Sequence, residues 1–80
     1  MVGAFEVDRA SWHGRPAEAR EFSVKIRYGH PGVAATVTPL EGERAHVQLH
    51  VPQRAVTPGQ AAVFYEGDRV AGGGWIKRNC

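Results

Sequence analysis

The chain predicts an all-β fold, a small six-stranded antiparallel barrel, on three observations. Apolar and polar residues alternate with a period of two in two long stretches, and four shorter stretches carry the same strand character. Each break between them holds the residues of a tight turn. The one helix-like stretch, Pro16 to Arg20 in "RPAEAR", is too short for more than a turn or a linker with some helical preference. Short, evenly punctuated strands of this kind close into a barrel, because closure removes the exposed edges an open sheet leaves.

The first strand is expected around Phe5 to Arg9. The second runs from Glu21 to Tyr28, with Phe22, Val24, Ile26 and Tyr28 on one face and Glu21, Ser23, Lys25 and Arg27 on the other. The third is expected over Val33 to Thr38. The fourth runs from Arg44 to Val51, where Ala45, Val47, Leu49 and Val51 point one way and Arg44, His46, Gln48 and His50 the other. The fifth and sixth are expected over Ala61 to Tyr65 and Arg69 to Ile76. Between them lie "GHPG" (Gly29 to Gly32), "EGE" (Glu41 to Glu43), "TPGQ" (Thr57 to Gln60) and "EGD" (Glu66 to Asp68). In "TPGQ" the proline presets φ at the second position and the glycine supplies the positive φ of a type II turn at the third. Gln60 is then expected at the exit of a rigid turn with its side chain free to project.

Eighty residues make a single domain, and a domain this size buries only about 60% of the surface its unfolded chain exposes. The lone cysteine, Cys80, excludes an internal disulfide framework and a Cys-rich zinc site, and is expected to be an exposed thiol. No apolar run approaches the ~18 residues of a membrane span, and the N-terminus lacks the pattern of a secretion signal. A soluble, cytoplasmic protein without a membrane partner is expected. The formal charge is +2, too small by itself to imply nucleic acid, yet eight of the ten cations are arginine. Arginine suits planar, bidentate contacts to phosphate and base edges.

"AGGGWI", Ala71 to Ile76, has the composition of a phosphate-binding loop but not its spacing, since neither Gly-x-x-x-x-Gly-Lys-Ser/Thr nor Gly-x-Gly-x-x-Gly is present. Gly72, Gly73 and Gly74 are therefore read as the bent, side-chain-free start of the last strand, passing close to its neighbours. On a strand, His46 and His50 share a polar face about 13 Å apart, too far for one metal ion. Ser11, Ser23 and Cys80 have no His/Asp constellation around them, and Glu66 and Asp68 flank a hairpin glycine as solvated turn formers. No catalytic residue, metal ligand or cofactor site is predicted. The cations offer more: if the second and fourth strands are neighbours, Lys25, Arg27, Arg44, His46 and Arg54 form a basic patch with Tyr28 and Gln60 at its margin. A solvated surface diluted by Glu21, Glu41 and Glu43 accounts for the same residues equally well.

The stretch "AVTPGQAAVFYEGDRVAGGGWI", Ala55 to Ile76, resembles the terminal segment of the bacterial tRNA-specific 2-thiouridylases. In that family a Thr-Pro-Gly-Gln turn, a Val-Phe-Tyr strand, a Gly-Asp hairpin and a Gly-Gly-Gly-hydrophobic-Ile strand follow in this order. "SVKIRYGH" (Ser23 to His30) is similar to its Val-Lys-x-Arg-Tyr segment, and "FEVDRASW" (Phe5 to Trp12) to its entry strand. The resemblance implies a Greek-key barrel like the second domain of elongation factors, with residues 1–80 forming the C-terminal domain of a larger enzyme whose ATP-pyrophosphatase and central domains are absent from this sequence. It implies a non-catalytic domain that binds and positions tRNA at its anticodon region while other domains of the same polypeptide use ATP and a sulfur donor to make 2-thiouridine at the wobble position. DNA is not among the partners it implies. The positions it associates with tRNA are Arg27, Tyr28 and Gln60, to which the residue-based patch adds Lys25 and Arg54. Gly29 and His30 follow Arg27-Tyr28 where the family often has another basic residue, so phosphate contact there is expected to be weaker or to depend on a protonated His30. The family's alternative description as a methyltransferase finds no cofactor-binding pattern in the chain. A free-standing barrel that binds proteins, with Met1 as its natural start, is the competing reading.

Overall fold

The polypeptide crosses the sheet six times, as β1 (Val2–Trp12), β2 (Arg20–Lys25), β3 (Val33–Leu40), β4 (Arg44–Gln53), β5 (Ala61–Glu66) and β6 (Arg69–Ile76). The computed structural model describes residues 1–26, 31–54 and 56–77. All six expected strands are present. β1 is longer than its sequence pattern suggested, and the stretch Pro16 to Arg20 forms bends leading into β2 rather than helix. Among the described residues no helix is long and apolar enough to cross a membrane.

The strands close into a barrel in the order β1-β4-β3-β2-β5-β6, and every neighbouring pair is antiparallel. β2, β3 and β4 form a meander, and β1 returns beside β4 in a Greek key, the order the resemblance implied. The connection between β1 and β2 makes this possible, being long enough to carry the chain across one end of the barrel.

Alternation does what the sequence promised. Phe5 and Val7, Phe22 and Val24, Ala35 and Val37, Ala45, Val47 and Leu49, Ala62 and Phe64, and Ile76 are buried, and no buried polar or charged residue occurs among the described residues. Alanines on β3, β4 and β5 leave room for Phe64, which is fully buried, to meet Phe22 and Trp12 at ring-centroid distances of 6.2 and 5.2 Å. Aromatic clustering of this kind adds about 0.5–1.5 kcal/mol per pair beyond the area buried.

Val51 departs from the expected inward set and is 63% exposed. The in-register pairing of β4 with β3 begins at Leu49 opposite Ala35, and β1 slips register between Val2 and Ala4. Past Leu49, β4 has run off the end of the core, so the period of two no longer reports burial.

The three glycines lie in the middle of β6 rather than at its start, laddered to β1 on one side and β5 on the other. A Cβ at Gly72 would stand 2.5 Å from the Ser11 carbonyl oxygen, one at Gly73 2.6 Å from that of Ala62, and one at Gly74 2.8 Å from that of Asp8. Each contact is with backbone, which cannot swing aside. Register shifts fall beside this strip, between Asp8 and Ser11 in β1 and between Phe64 and Tyr65 in β5. In the β1 bulge Arg9 adopts φ 48°, the left-handed region in which glycine is the inexpensive residue.

Gly73→Ala is expected to destabilise the barrel by about 1–3 kcal/mol through this backbone clash. Gly3→Ala, where the nearest neighbour would be Pro52 Cγ at 3.8 Å, should change stability by less than about 0.5 kcal/mol. Urea denaturation midpoints at constant m-value compare the two directly.

Candidate nucleic-acid interface

Strand direction sorts the connections. β1, β3 and β5 start from one end of the barrel, where β2, β4 and β6 finish, so the chain leaves β2 at Lys25, re-enters at Val33, and passes from β4 to β5 through Arg54 and the "TPGQ" turn on that same end. The connections β1–β2, β3–β4 and β5–β6 occupy the other.

Three of the expected contact residues thereby gather at one end. Lys25 is the exposed last residue of β2, and its ammonium lies 5.6 Å from the centre of the Tyr65 ring on β5. Arg54 is exposed just beyond β4, and Gln60 leads into β5. Arg27 and Tyr28 lie outside the described residues.

The "TPGQ" turn has the expected type II form, with Gly59 at φ 90° and the Gln60 amide donating to the Thr57 carbonyl at 3.3 Å. It is tied down from below, because Gly59 N–H donates to Ile76 O and Ile76 N–H to Gln60 O, both at 2.8 Å. The Gln60 side chain does not project freely. Its Oε1 folds back to accept the Thr57 N–H at 3.1 Å, and the residue is half-buried. The turn leaves the Thr57 amide without a backbone acceptor of its own, and the carboxamide supplies one. What Gln60 can offer a ligand is its Nε2 donors.

Arg44 and His46 do not join this group. β3 lies between β2 and β4, so the two strands are not neighbours. Arg44 sits at the opposite end, 3.4 Å from Glu6 Oε1 and donating to the Glu41 carbonyl at 3.3 Å. Nor are Glu41 and Glu43 near Lys25; they belong to the β3–β4 connection.

The same sorting separates charge along the barrel axis. Six of the eight acidic residues, Glu18, Glu21, Glu41, Glu43, Glu66 and Asp68, lie in the connections of the far end or at the ends of strands that meet them. The other two, Glu6 and Asp8, are in the middle of β1. Residues 26–32 and 54–60 contain none. Three of the far-end arginines are engaged: Arg20 pairs with Glu66, Arg44 with Glu6, and Arg15 donates to the Leu40 carbonyl at 2.8 Å, while Arg69 at the start of β6 has no carboxylate partner among the described residues. Lys25, Arg54 and Lys77 have no carboxylate partner among the described residues. The formal charge of +2 is thus unevenly divided along the barrel axis.

Chemically this end can hold polyanions and donate hydrogen bonds. Ser11 and Ser23 stand on β1 and β2 without a histidine or carboxylate bonded to them among the described residues, and Cys80 lies outside those residues. Glu66 is occupied by Arg20 rather than coupled to Asp68. His50 Nε2 is 3.1 Å from Thr36 Oγ1 and 3.6 Å from Glu21 Oε2, on the outer face of β4 and away from His46.

A closed six-stranded Greek-key barrel with one acid-free, cation-bearing end is the class of domain defined by these features. The family model described as the aminomethyltransferase beta-barrel domain matches residues 2–76, and the chain belongs to that family. The chain is similar to proteins named tRNA-specific 2-thiouridylase MnmA. The match to that of Geobacter metallireducens is 58% identical over 59 residues, 74% of this chain and 16% of the relative. The matches to those of Moorella thermoacetica and Paramagnetospirillum magneticum are 52% and 44% identical, covering 82% and 89% of this chain and 18% and 19% of theirs. The chain thus spans between a sixth and a fifth of the length of these relatives.

Gly59→Ala is expected to cost about 1 kcal/mol or more, since alanine is strained at φ 90°. Amide exchange at Ile76, whose N–H is bonded to Gln60 O, should accelerate with it, and thermal unfolding gives the stability change.

Proposed function

We propose that this chain is the C-terminal, non-catalytic domain of a tRNA 2-thiouridylase, and that it binds and positions tRNA while the rest of the polypeptide, with ATP and a sulfur donor, thiolates the wobble uridine. The observation that carries this reading is the acid-free end of the barrel, formed where Lys25, Arg54 and the "TPGQ" turn converge. That the relatives are named tRNA-specific 2-thiouridylases supports the choice of tRNA over other polyanions.

In this reading the domain works by position. Lys25, Arg54 and Lys77 neutralise backbone phosphates with sequence-independent contacts that set the register of the RNA. Arg27 and Tyr28, in the connection between β2 and β3, add a guanidinium and an aromatic face. The Nε2 donors of Gln60, held by a turn that is itself bonded to β6, add a contact of fixed direction. The far end, where six of the eight acidic residues lie and Arg15, Arg20 and Arg44 are engaged with acids or carbonyls, repels phosphate and so gives the docking a polarity. Rigidity of a small closed barrel makes such placement accurate enough to serve an active site on another domain. Holding the anticodon region there presents the wobble base to the catalytic domain.

The test is the salt dependence of tRNA binding by the full-length polypeptide. Arg27→Ala and Arg54→Ala should each weaken binding and lower the slope of log K against log salt by about 0.7–0.9, as for one lost phosphate contact. Arg15→Ala, which removes the same charge from the far end, should leave the slope unchanged. Equal effects at the two ends would remove the barrel's polarity from the account.

A further inference from the structure

We propose that the outer face of β5 and β6 next to the "TPGQ" turn stacks an unpaired nucleotide of the bound RNA on the Arg9–Trp75 pair; this rests on the tRNA-binding reading above and extends it to a base-contacting subsite.

Trp75 is 42% exposed on the outside of the barrel, in register with Asp8 of β1 and Ala61 of β5. The Arg9 guanidinium lies 5.3 Å from the centre of its ring. Neither feature is incidental to the fold. Among the described residues Arg9 is the one non-glycine residue with positive φ, and glycine would fill that bulge without strain. The bulge that strains Arg9 is also what carries its side chain over β6, where the indole stands. Strain held at an arginine whose side chain has only an exposed contact with Asp8 and the ring of Trp75 points to a ligand. Its carboxylate neighbour, Asp8, is 3.8 Å away and leaves the Arg9 side chain 72% exposed.

The surroundings fit a flat aromatic ligand. Beyond Trp75 the surface falls into a shallow groove floored by Gly72, Gly73 and Gly74 and walled by Val63, Ser11 and His13. The close approach of β6 to its neighbours has removed the side chains that would otherwise fill this groove. On the same outer face Tyr65 carries Lys25 over its ring, so each exposed-face aromatic has a cation beside it. Planar faces next to positive charge are what unpaired nucleotides use, the base stacking and the phosphate meeting the cation. Asp8 can accept a hydrogen bond from a base N–H edge. The face is continuous with the proposed interface, because Ile76, next to Trp75, is bonded to Gly59 and Gln60 through the main chain. Charge complementarity therefore favours RNA over an apolar protein surface as the occupant.

The experiment measures binding of an unmodified tRNA transcript to the full-length polypeptide carrying Trp75→Ala, Trp75→Phe or Arg9→Gly, together with the melting temperature of each variant. Loss of one stacked base should weaken binding about ten-fold or more in Trp75→Ala with the salt slope unchanged. Trp75→Phe, which keeps an aromatic face, should recover most of the loss. Arg9→Gly, whose backbone suits the bulge, should fold and bind more weakly, which keeps the proposal open to test even if Trp75→Ala does not fold. If Trp75→Ala and Arg9→Gly bind the transcript like the wild type while Arg54→Ala is weakened, this proposal falls and the tRNA-binding reading stands. If the wild type fails to bind the transcript, both fall. A lowered melting temperature with unaltered affinity would mean that the face covers another domain, which also overturns the proposal.

Discussion

Close passage of β6 between β1 and β5 is the constraint on which the rest depends. In this strand order β6 lies between β1 and β5, and the backbones come so near that a methyl group on Gly72, Gly73 or Gly74 would overlap a neighbouring carbonyl. Three consecutive glycines remove the side chains that would hold the strands apart. The cost is entropic, since glycine loses more freedom on folding than other residues. The return is closure: every strand is laddered to two neighbours around the barrel, and the partly buried Trp12 packs against the core residues Phe22 and Phe64. What looked in isolation like a phosphate-binding loop is a strand whose main-chain groups are laddered to two partners.

Closure also decides where charge goes. Because successive strands run in opposite directions, alternate connections fall at opposite ends, and the acids of this chain are concentrated in one alternating set of connections. A net charge of +2 conceals that division. Surface ion pairs such as Arg20 with Glu66 add little stability, about 0–1 kcal/mol. Their larger effect is to neutralise Arg20 and Arg44, while Lys25, Arg54 and Lys77 at the end that carries the "TPGQ" turn keep no carboxylate partner among the described residues. The turn in turn is welded to β6 beside the glycine strip. Turn and closing strand are thus one mechanical unit, and the strained Arg9 belongs to the same region because the β1 bulge forms where β1 meets β6.

The fold was largely legible in the residues. Period-two alternation in β2 and β4, turn residues at each break and the absence of helical periodicity suffice for six antiparallel strands, because each of these is a local property of backbone and side chain. The type II turn at Thr57 to Gln60 was legible for the same reason. Strand order was not, since alternation says which face is buried and not which strand lies beside it; it came from resemblance to a family. Val51 continues the alternation and is nevertheless exposed, because burial depends on where neighbouring strands begin and end.

For the candidate site the balance is different. Lys25, Arg54 and Gln60 are residue types suited to RNA, and residue chemistry with the family resemblance marked them as candidates together with Arg27 and Tyr28. The convergence of Lys25, Arg54 and Gln60 on one end and the removal of Arg44 to the other were decided by the tertiary structure, since each depends on strands distant in sequence. Arg9 and Trp75 carried no signal at all: an arginine in a strand and a tryptophan after glycines are unremarkable until a bulge in β1 places one over the other. Local chemistry determined the strands, the turns and the closing glycines of this protein, while contacts between residues far apart in the chain decided where its charge and its aromatic surface would lie.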